Sequence, residues 1–311
     1  MKIGVEAIEY VLGEKRCDLL QLEAQGRLET PSAQLRAFGF HYAFLGADDA
    51  FNLASKAIAA LLQKHNLNPE EIDAVFFAGA LPTSHTLAGS GGPLSVFNYP
   101  ACKLQYEFGL LNATVIGISQ AGCMGMMSAV KCAADFLRAN QAEKVLCVSA
   151  DVFPSDAKRE VLYNVISDGA CALLICKNST RNLVRAHRQI TKGYYWDSAT
   201  RQNEIIAAYF PTAKNIALGT LSAAGVDASE IACVIPHNVS RRSWDILLDL
   251  IGINPERLFG ENIAAMGHVI AADNFMNLKD AAATGRIKAG DKLLLFNFGF
   301  GANWGCMLLE H

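Results

Sequence analysis

The chain has 311 residues, 51% of them hydrophobic and 18% charged, with a formal net charge of −3 at pH 7. This describes a large, well-buried core under a modestly charged surface, without the basic excess or the aromatic-studded basic stripe that binds nucleic acid. No apolar stretch approaches the roughly 18 residues that cross a bilayer, so neither nucleic acid nor a membrane is an expected partner, and the length allows one large domain or two of about 150 residues.

The opening MKIGVEAIEYVLGEK reads as an immediate strand rather than as a basic leader with an apolar centre. With nine cysteines, an odd number, and no C-x-x-C pair, the expected setting is reducing and cytoplasmic, and no metal site is expected. His41, inside the aromatic run FGFHYAF, reads as a satisfied, partly buried histidine. Residues 54–67 are a helical run that leads through the acidic turn of NPEEIDAVFFAGA (68–80) into a strand. Gly89 to Gly92 in LAGSGGPL read as a surface or dimer-contact loop, because no phosphate-binding glycine pattern opens a helix there.

The run from Ala113 to Ser119, short and rich in β-branched residues, reads as a buried strand. Met124 to Arg138 then changes to helical spacing, which puts Cys123 at a strand-to-helix corner flanked by Gly122 and Gly125. The first N–H groups of a helix stabilise an anion, and a thiolate is one, so Cys123 is a candidate nucleophile; the plain alternative is a packed core thiol. Cys132, Cys147, Cys171, Cys176, Cys233 and Cys306 lie in apolar runs and read as packing.

His187 and His65 sit among polar or charged neighbours and read as surface groups. The strand Ile231–Ile235 is followed by Pro236, His237 and Asn238, where a core histidine is hard to accommodate. The loop 262–274 carries His268 and Asp273; Asp273 reads better as a helix cap than as a group that orients a histidine. Gly299 to Gly305 read as a tight hairpin between the last two strands. Two internal echoes run in the same order: residues 68–80 match 227–238, and AADFLRANQAEKVLCVSAD (133–151) matches AAATGRIKAGDKLLLFNFG (281–299). A duplicated βαβ-type unit explains both. Each half then delivers loops to a shared seam at the carboxyl ends of its strands, where a thiol and two imidazoles converge.

The combination of SQAGCMGMMSA (119–129), SDGACALL (167–174), IPHNVSR (235–241) and GFGANWGCMLLE (299–310), with ACKLQYEFGL (101–110) ahead of the nucleophile strand, resembles a β-ketoacyl-acyl-carrier-protein synthase III of the thiolase superfamily. The resemblance implies an α/β, thiolase-like fold of two duplicated halves in layered αβαβα order, here 1–176 with the nucleophile and 177–311 with the catalytic histidines. It further implies a homodimer, an acyl-cysteine intermediate, and acyl-CoA or an acyl carrier protein as substrate, with no separate cofactor. Cys123 matches the acylated nucleophile and His237 the first catalytic histidine. His268 stands in Gly267-His268-Val269, where the family has Gly-Asn-Thr, and so takes the place of the catalytic asparagine.

In the reading that follows, Cys123 attacks an acyl thioester, its own amide and one from the 299–305 loop hold the oxyanion, and a decarboxylated malonyl unit takes the acyl group. An alcohol or amine acceptor, giving an ester or amide, is the alternative. A cysteine hydrolase and a non-catalytic partner subunit are the other readings. Arg36, Lys158 and Arg159 are candidate contacts for the phosphate of the pantetheine or nucleotide. Fewer residues lie between the strands ending near Ile175 and beginning near Ile231 than the family places there, which predicts a more open acceptor site, suited to a bulky or carrier-bound partner.

Overall fold

The structure, a computed structural model, describes residues 1–311 apart from 88, 90 and 140, so the expected loop at Gly89 to Gly92 lies partly outside the described residues. In chain order the first half comprises β1 (Ile3–Leu12), β2 (Lys15–Asp18), α1 (Leu19–Ala24), α2 (Ser32–Ala37), β3 (Tyr42–Leu45), α3 (Ala50–Lys64), β4 (Ala74–Ala78), α4 (Pro100–Glu107), β5 (Thr114–Ile118), α5 (Gly125–Ala139) and β6 (Lys144–Asp151). There follow β7 (Glu160–Val161), β8 (Asn164–Val165), β9 (Gly169–Lys177), β10 (Leu183–Thr191), α6 (Gln202–Ala224), β11 (Ile231–Ile235), α7 (Arg241–Ile251), α8 (Glu261–Met266), α9 (Asp273–Ala283), β12 (Lys292–Gly299) and β13 (Asn303–Glu310).

Strands β4, β6, β9, β12 and β13 are continuous apolar runs rather than alternating ones, as expected when both sheet faces are covered. They join one sheet of order β11-β12-β13-β10-β1-β9-β6-β4-β5. Its two wings repeat one pattern. In the first, β1 and β9 are antiparallel, β9 and β6 antiparallel, and β6 and β4 parallel. In the second, β10 and β13, β13 and β12, and β12 and β11 pair in the same senses. A bridge of Gly4 to Leu183 links the wings.

Helix burial then sets the layers. Helices α5 and α9 are buried between the wings, in a core that draws on strands of both. Helix α3 covers the outer face of the first wing through Leu53, Ala57, Ile58 and Leu61. Helices α6 and α7 cover the second with Ala213, Ala217, Trp244 and Leu248, extended by the small β2–β3 ribbon and α1. The result is the expected α-β-α-β-α order, and the Cys123 turn and the two histidine loops emerge at one seam of it.

Three local expectations are corrected. The Ala113 to Ser119 segment forms β5, but as an edge strand with Ile116 exposed, because no further strand pairs beyond it among the described residues. His41 is exposed at the rim of β3. His187 is not a surface group: on β10 both ring nitrogens are shielded and unpartnered among the described residues, and burial pushes the ring down to about 4.

The deepest ion pair is structural. Arg159 Nη1 and Nη2 donate to Asp168 Oδ1 and Oδ2 at 2.6 and 3.0 Å, and Asp168 also accepts from the amides of Phe153 and Gly46. Removing one partner leaves an uncompensated buried charge, so Arg159→Ala is expected to lower the unfolding free energy by about 3–5 kcal/mol, read from urea denaturation followed by circular dichroism.

Candidate active site

Cys123 lies in a single 3₁₀ turn, Gly122–Met124, that runs straight into α5. That turn is pressed against the β12–β13 hairpin. A Cβ on Gly299 would fall 2.2 Å from the carbonyl oxygen of Ala121 and 2.9 Å from the amide nitrogen of Cys123. Gly122 has φ +54°, and a Cβ there would meet the amide of Phe300 at 2.9 Å. Glycine is required at both positions for the two backbones to touch. Asn297 Nδ2 donates to the Cys123 carbonyl at 3.0 Å and to Asn274 Oδ1 at 2.7 Å, which fixes the turn from below.

His268 is held by its backbone before its ring does anything. Its amide donates to the Val165 carbonyl at 2.7 Å and its carbonyl accepts from Ser167 at 2.9 Å, as one residue of extra strand. Gly267, at φ +68°, turns the chain into that slot with only 2.8 Å between a would-be Cβ and the Val165 carbonyl oxygen. The ring Nε2 then lies 3.4 Å from Cys123 Sγ, and Nδ1 lies 2.5 Å from Asp273 Oδ2. Asp273 is the first residue of α9, but its carboxylate serves the loops. It accepts from the amides of Val269 and Asn238, both at 2.6 Å. The capping role expected for Asp273 is therefore replaced by orientation of His268. Burial opposes a charge on His268, but Asp273 and Cys123 outweigh it and push the ring up to about 10.

His237 is buried, with its ring edge-on to Trp244 and Phe296 and 6.1 Å, centroid to centroid, from His268. Its carbonyl accepts from Trp244 Nε1 at 3.0 Å. Burial, reinforced by His268, holds this ring well below the ordinary histidine range, so it is neutral. The two imidazoles thus occupy opposite charge states a few ångströms apart.

All three groups face a cavity of about 590 Å³ walled by α6, the β7–β8 hairpin, the start of α7 and the tip of the last hairpin. Its lining is mainly apolar, with Phe38, Phe153, Phe210, Phe298 and Phe300 prominent.

The proposed phosphate contacts are corrected. Arg159 is 2% exposed and spends its guanidinium on Asp168, so it does not meet a ligand. Arg36 does not line the cavity and is paired with Asp18. Lys158 donates to the Gly26 carbonyl. The exposed arginine that does line the cavity is Arg242, five residues after His237, which sequence reading passed over although it lies just beyond the IPHNVSR motif. Tyr209 was also missed; it sits in an apolar helix with no motif around it. Among the described residues no group of three or more His, Cys, Asp or Glu is placed to hold a metal, and no helix is long and apolar enough to cross a membrane.

Cys17, Cys147, Cys171, Cys176, Cys233 and Cys306 are buried and behave as packing, Cys132 is half-buried and Cys102 is exposed. Burial pushes the Cys176 and Cys306 thiols up to about 12 and Cys233 to about 11. Cys123, half-buried in the cavity wall, is the one with an imidazole on its sulfur among the described residues.

Asp273→Asn removes the charge that holds His268 protonated beside the Cys123 sulfur and is expected to slow alkylation of Cys123 by iodoacetamide at pH 7 by about tenfold or more, measured by intact mass against time. The sign for stability follows from the same pair. The folded ring titrates at about 10, above the roughly 6.5 of an unfolded histidine. Its stabilisation is thus complete below pH 6.5 and lost as pH rises through about 10. Thermal melts of Asp273→Asn should show that slope flattened.

Two family models match the chain: 3-oxoacyl-(acyl-carrier-protein) synthase III over residues 119–193, and the C-terminal part of the same enzyme over 221–311. β-Ketoacyl-(acyl-carrier-protein) synthase III of Aquifex aeolicus is 26% identical over 270 residues, 83% of each chain. That of Campylobacter jejuni strain 81116 is 26% identical over 282 residues, 85% of this chain and 83% of its own. Among solved structures, 3-oxoacyl-(acyl-carrier-protein) synthase III of Aquifex aeolicus superposes with TM-score 0.85 at 22% identity, over 99% of this chain and all of the other. The Thermus thermophilus enzyme gives 0.83 at 24%, over 99% of both chains. The acyltransferase ChlB3 gives 0.85 at 20%, over 100% of this chain and 98% of its own. These superpositions establish the thiolase fold. With the two family models together spanning more than half of its length, the chain belongs to the 3-oxoacyl-(acyl-carrier-protein) synthase III family of the thiolase superfamily, a family of condensing acyltransferases.

Proposed function

We propose that this acyltransferase carries its acyl group on Cys123 and passes it to a malonyl-type carbon nucleophile, with His268 and His237 as the groups that manage the charge. The line from Cys123 and His268 in the cavity wall to the buried Asp273 behind them carries the reading. In the first half-reaction the thiolate of Cys123 attacks an acyl thioester of CoA or an acyl carrier protein. The closely packed amides of Cys123 and the 299–305 loop support the oxyanion. The protonated His268 gives its Nε2 proton to the departing thiolate. In the second, loss of carbon dioxide from the malonyl unit generates the enolate that attacks the acyl-cysteine.

One observation favours an alcohol or amine acceptor as a second reading. Asp273 fixes the Nδ1–H of His268, so once the ring has given up its proton it presents a lone pair at Nε2, the arrangement of a general base. A subunit that had lost its chemistry has no use for a buried carboxylate aligned behind that ring, which speaks against the non-catalytic reading.

The remaining parts fit the same proposal. Arg242, at the cavity wall and exposed, is placed for the phosphate of the carrier. The substrates themselves bring the pantetheine thioester, so no metal or further cofactor is invoked, and the cytoplasm supplies both donor and acceptor. The edge strand β5, with exposed Ile116 and, nearby in sequence, exposed Phe97, Tyr106 and Leu111, supports a homodimer joined along that edge. The halves 1–176 and 177–311 are read as copies of one duplicated unit, on the repeated strand pairings.

Incubation with a panel of acyl-CoA thioesters is expected to add one acyl mass to the wild type and none to Cys123→Ala. If the wild type gains no mass and consumes no acyl-CoA, the reading is wrong. Presenting the acylated protein with malonyl thioester, alcohols or amines then separates the two acceptor classes by product mass, and discharge by water alone would identify a hydrolase. Ile116→Arg is expected to convert a dimer to a monomer in light scattering; a monomeric wild type would remove the homodimer.

A further inference from the structure

Tyr209 lies on α6 with its ring packed edge-on against Phe210, Phe296 and Phe298, at centroid distances of 5.0, 6.3 and 5.3 Å. Pro211, inside the same helix, removes the N–H that would bond the Ala207 carbonyl, so the helix is weakened where Tyr209 turns into the cavity. The phenol oxygen lies 3.5 Å from His237 Nε2, its one hydrogen-bond contact among the described residues.

The protonation of His237 can be worked out from its surroundings. The ring is neutral and its Nδ1 is buried without a partner among the described residues. An orphaned buried N–H is costlier than an unused lone pair, so the proton belongs on Nε2, facing Tyr209. At 3.5 Å that contact is too long to be a strong hydrogen bond. Burial also keeps the Tyr209 phenol protonated. Two N–H and O–H donors therefore face the cavity weakly engaged. Their spacing leaves room for one oxygen at about 2.8 Å from each.

In the acyl-enzyme His268 does not offer such a donor, because its Nε2 proton has left with the acyl donor's thiol. Its Nδ1 is taken by Asp273 and its Nε2 faces Cys123. A condensing site needs donors on the thioester oxygen that becomes an enolate, and this chain carries histidine where an asparagine amide would donate. We propose that the Tyr209 hydroxyl supplies the second donor, so that His237 Nε2–H and Tyr209 O–H together bind the thioester oxygen of the malonyl-type acceptor. In the step concerned, the bond from Cα to the carboxylate breaks and carbon dioxide leaves. The electron pair passes to the thioester oxygen, where the two donors hold it. The enolate carbon then bonds to the acyl carbonyl as the Cys123 sulfur departs as thiolate.

This proposal rests on the carbon-acceptor reading above, and a single-turnover experiment separates the two. Wild type and Tyr209→Phe are acylated on Cys123, freed of excess donor, and mixed with malonyl thioester; carbon dioxide and β-ketoacyl product are measured. Phenylalanine keeps the ring packing and removes only the hydroxyl. Acylation of Tyr209→Phe is expected within threefold of wild type, and carbon dioxide release and condensation lower by about 10²-fold. Equal condensation rates in the two proteins would overturn the role of Tyr209 while leaving the carbon-acceptor reading intact. A wild type that acylates but releases no carbon dioxide would overturn both. Should Tyr209→Phe fold poorly, fluorotyrosine at position 209 retains the hydroxyl and lowers its pKa. The stronger donor should then raise the condensation rate at pH 7 without changing acylation, and an unchanged condensation rate counts against the proposal.

Discussion

The Asp273 carboxylate is fully buried, and the site is arranged around the need to satisfy it. An ionised carboxylate away from water is tolerated only with charge and hydrogen bonds on it. Asp273 finds the His268 imidazole on one oxygen together with the Asn238 amide, and the Val269 amide on the other. Those partners come from the loop after β11 and the loop before α9. Meeting one carboxylate's requirements therefore locks the two histidine loops to each other and aims His268 at Cys123.

Around that charge, asparagines do the work of holding irregular backbone. Asn238 Nδ2 donates to the Gly267 carbonyl, Asn277 Nδ2 to Pro236 and to Asn238, and Asn274 Nδ2 to the carbonyls of Ile235 and Phe296. Each short amide satisfies strand-end and loop carbonyls that would otherwise be buried without partners. The glycines solve the complementary problem of space. At Gly122, Gly267 and Gly299, segments distant in sequence approach more closely than any side chain allows. The site is accordingly a closely packed one, with a mainly apolar cavity opening from a floor of hydrogen-bonded loops. The low polarity of that cavity explains why two imidazoles a few ångströms apart differ in charge: His268 has a carboxylate and His237 has none.

Much of the fold was legible from pattern. The strand-to-helix corner at Cys123, the helix after it, the final hairpin and the repeated helix-turn-strand units all rest on local periodicity and turn chemistry, and the layers follow once both faces of each apolar strand need cover. That Cys123, His237 and His268 meet in one cavity was legible because strand ends and glycine-flanked loops are where such groups are presented. Asp273 was misjudged because a carboxylate at a helix start has a common local use, and its partners Asn238 and Val269 become visible only when two loops are brought together. Arg159 looked available because its partner Asp168 lies nine residues on, across a hairpin that a linear reading does not close.

The sequence by itself determined the elements and, through its family resemblance, pointed to their layering and to the candidate reacting groups, since periodicity, turn residues and motif order are properties of neighbouring positions. The tertiary structure decided what those groups are in chemical terms. Whether a histidine is charged, which nitrogen bears the proton, whether an arginine is free and whether a phenol faces a catalytic ring all depend on burial and on partners remote along the chain. Electrostatic free energies are set by the distance and dielectric between groups, and only the folded chain specifies either.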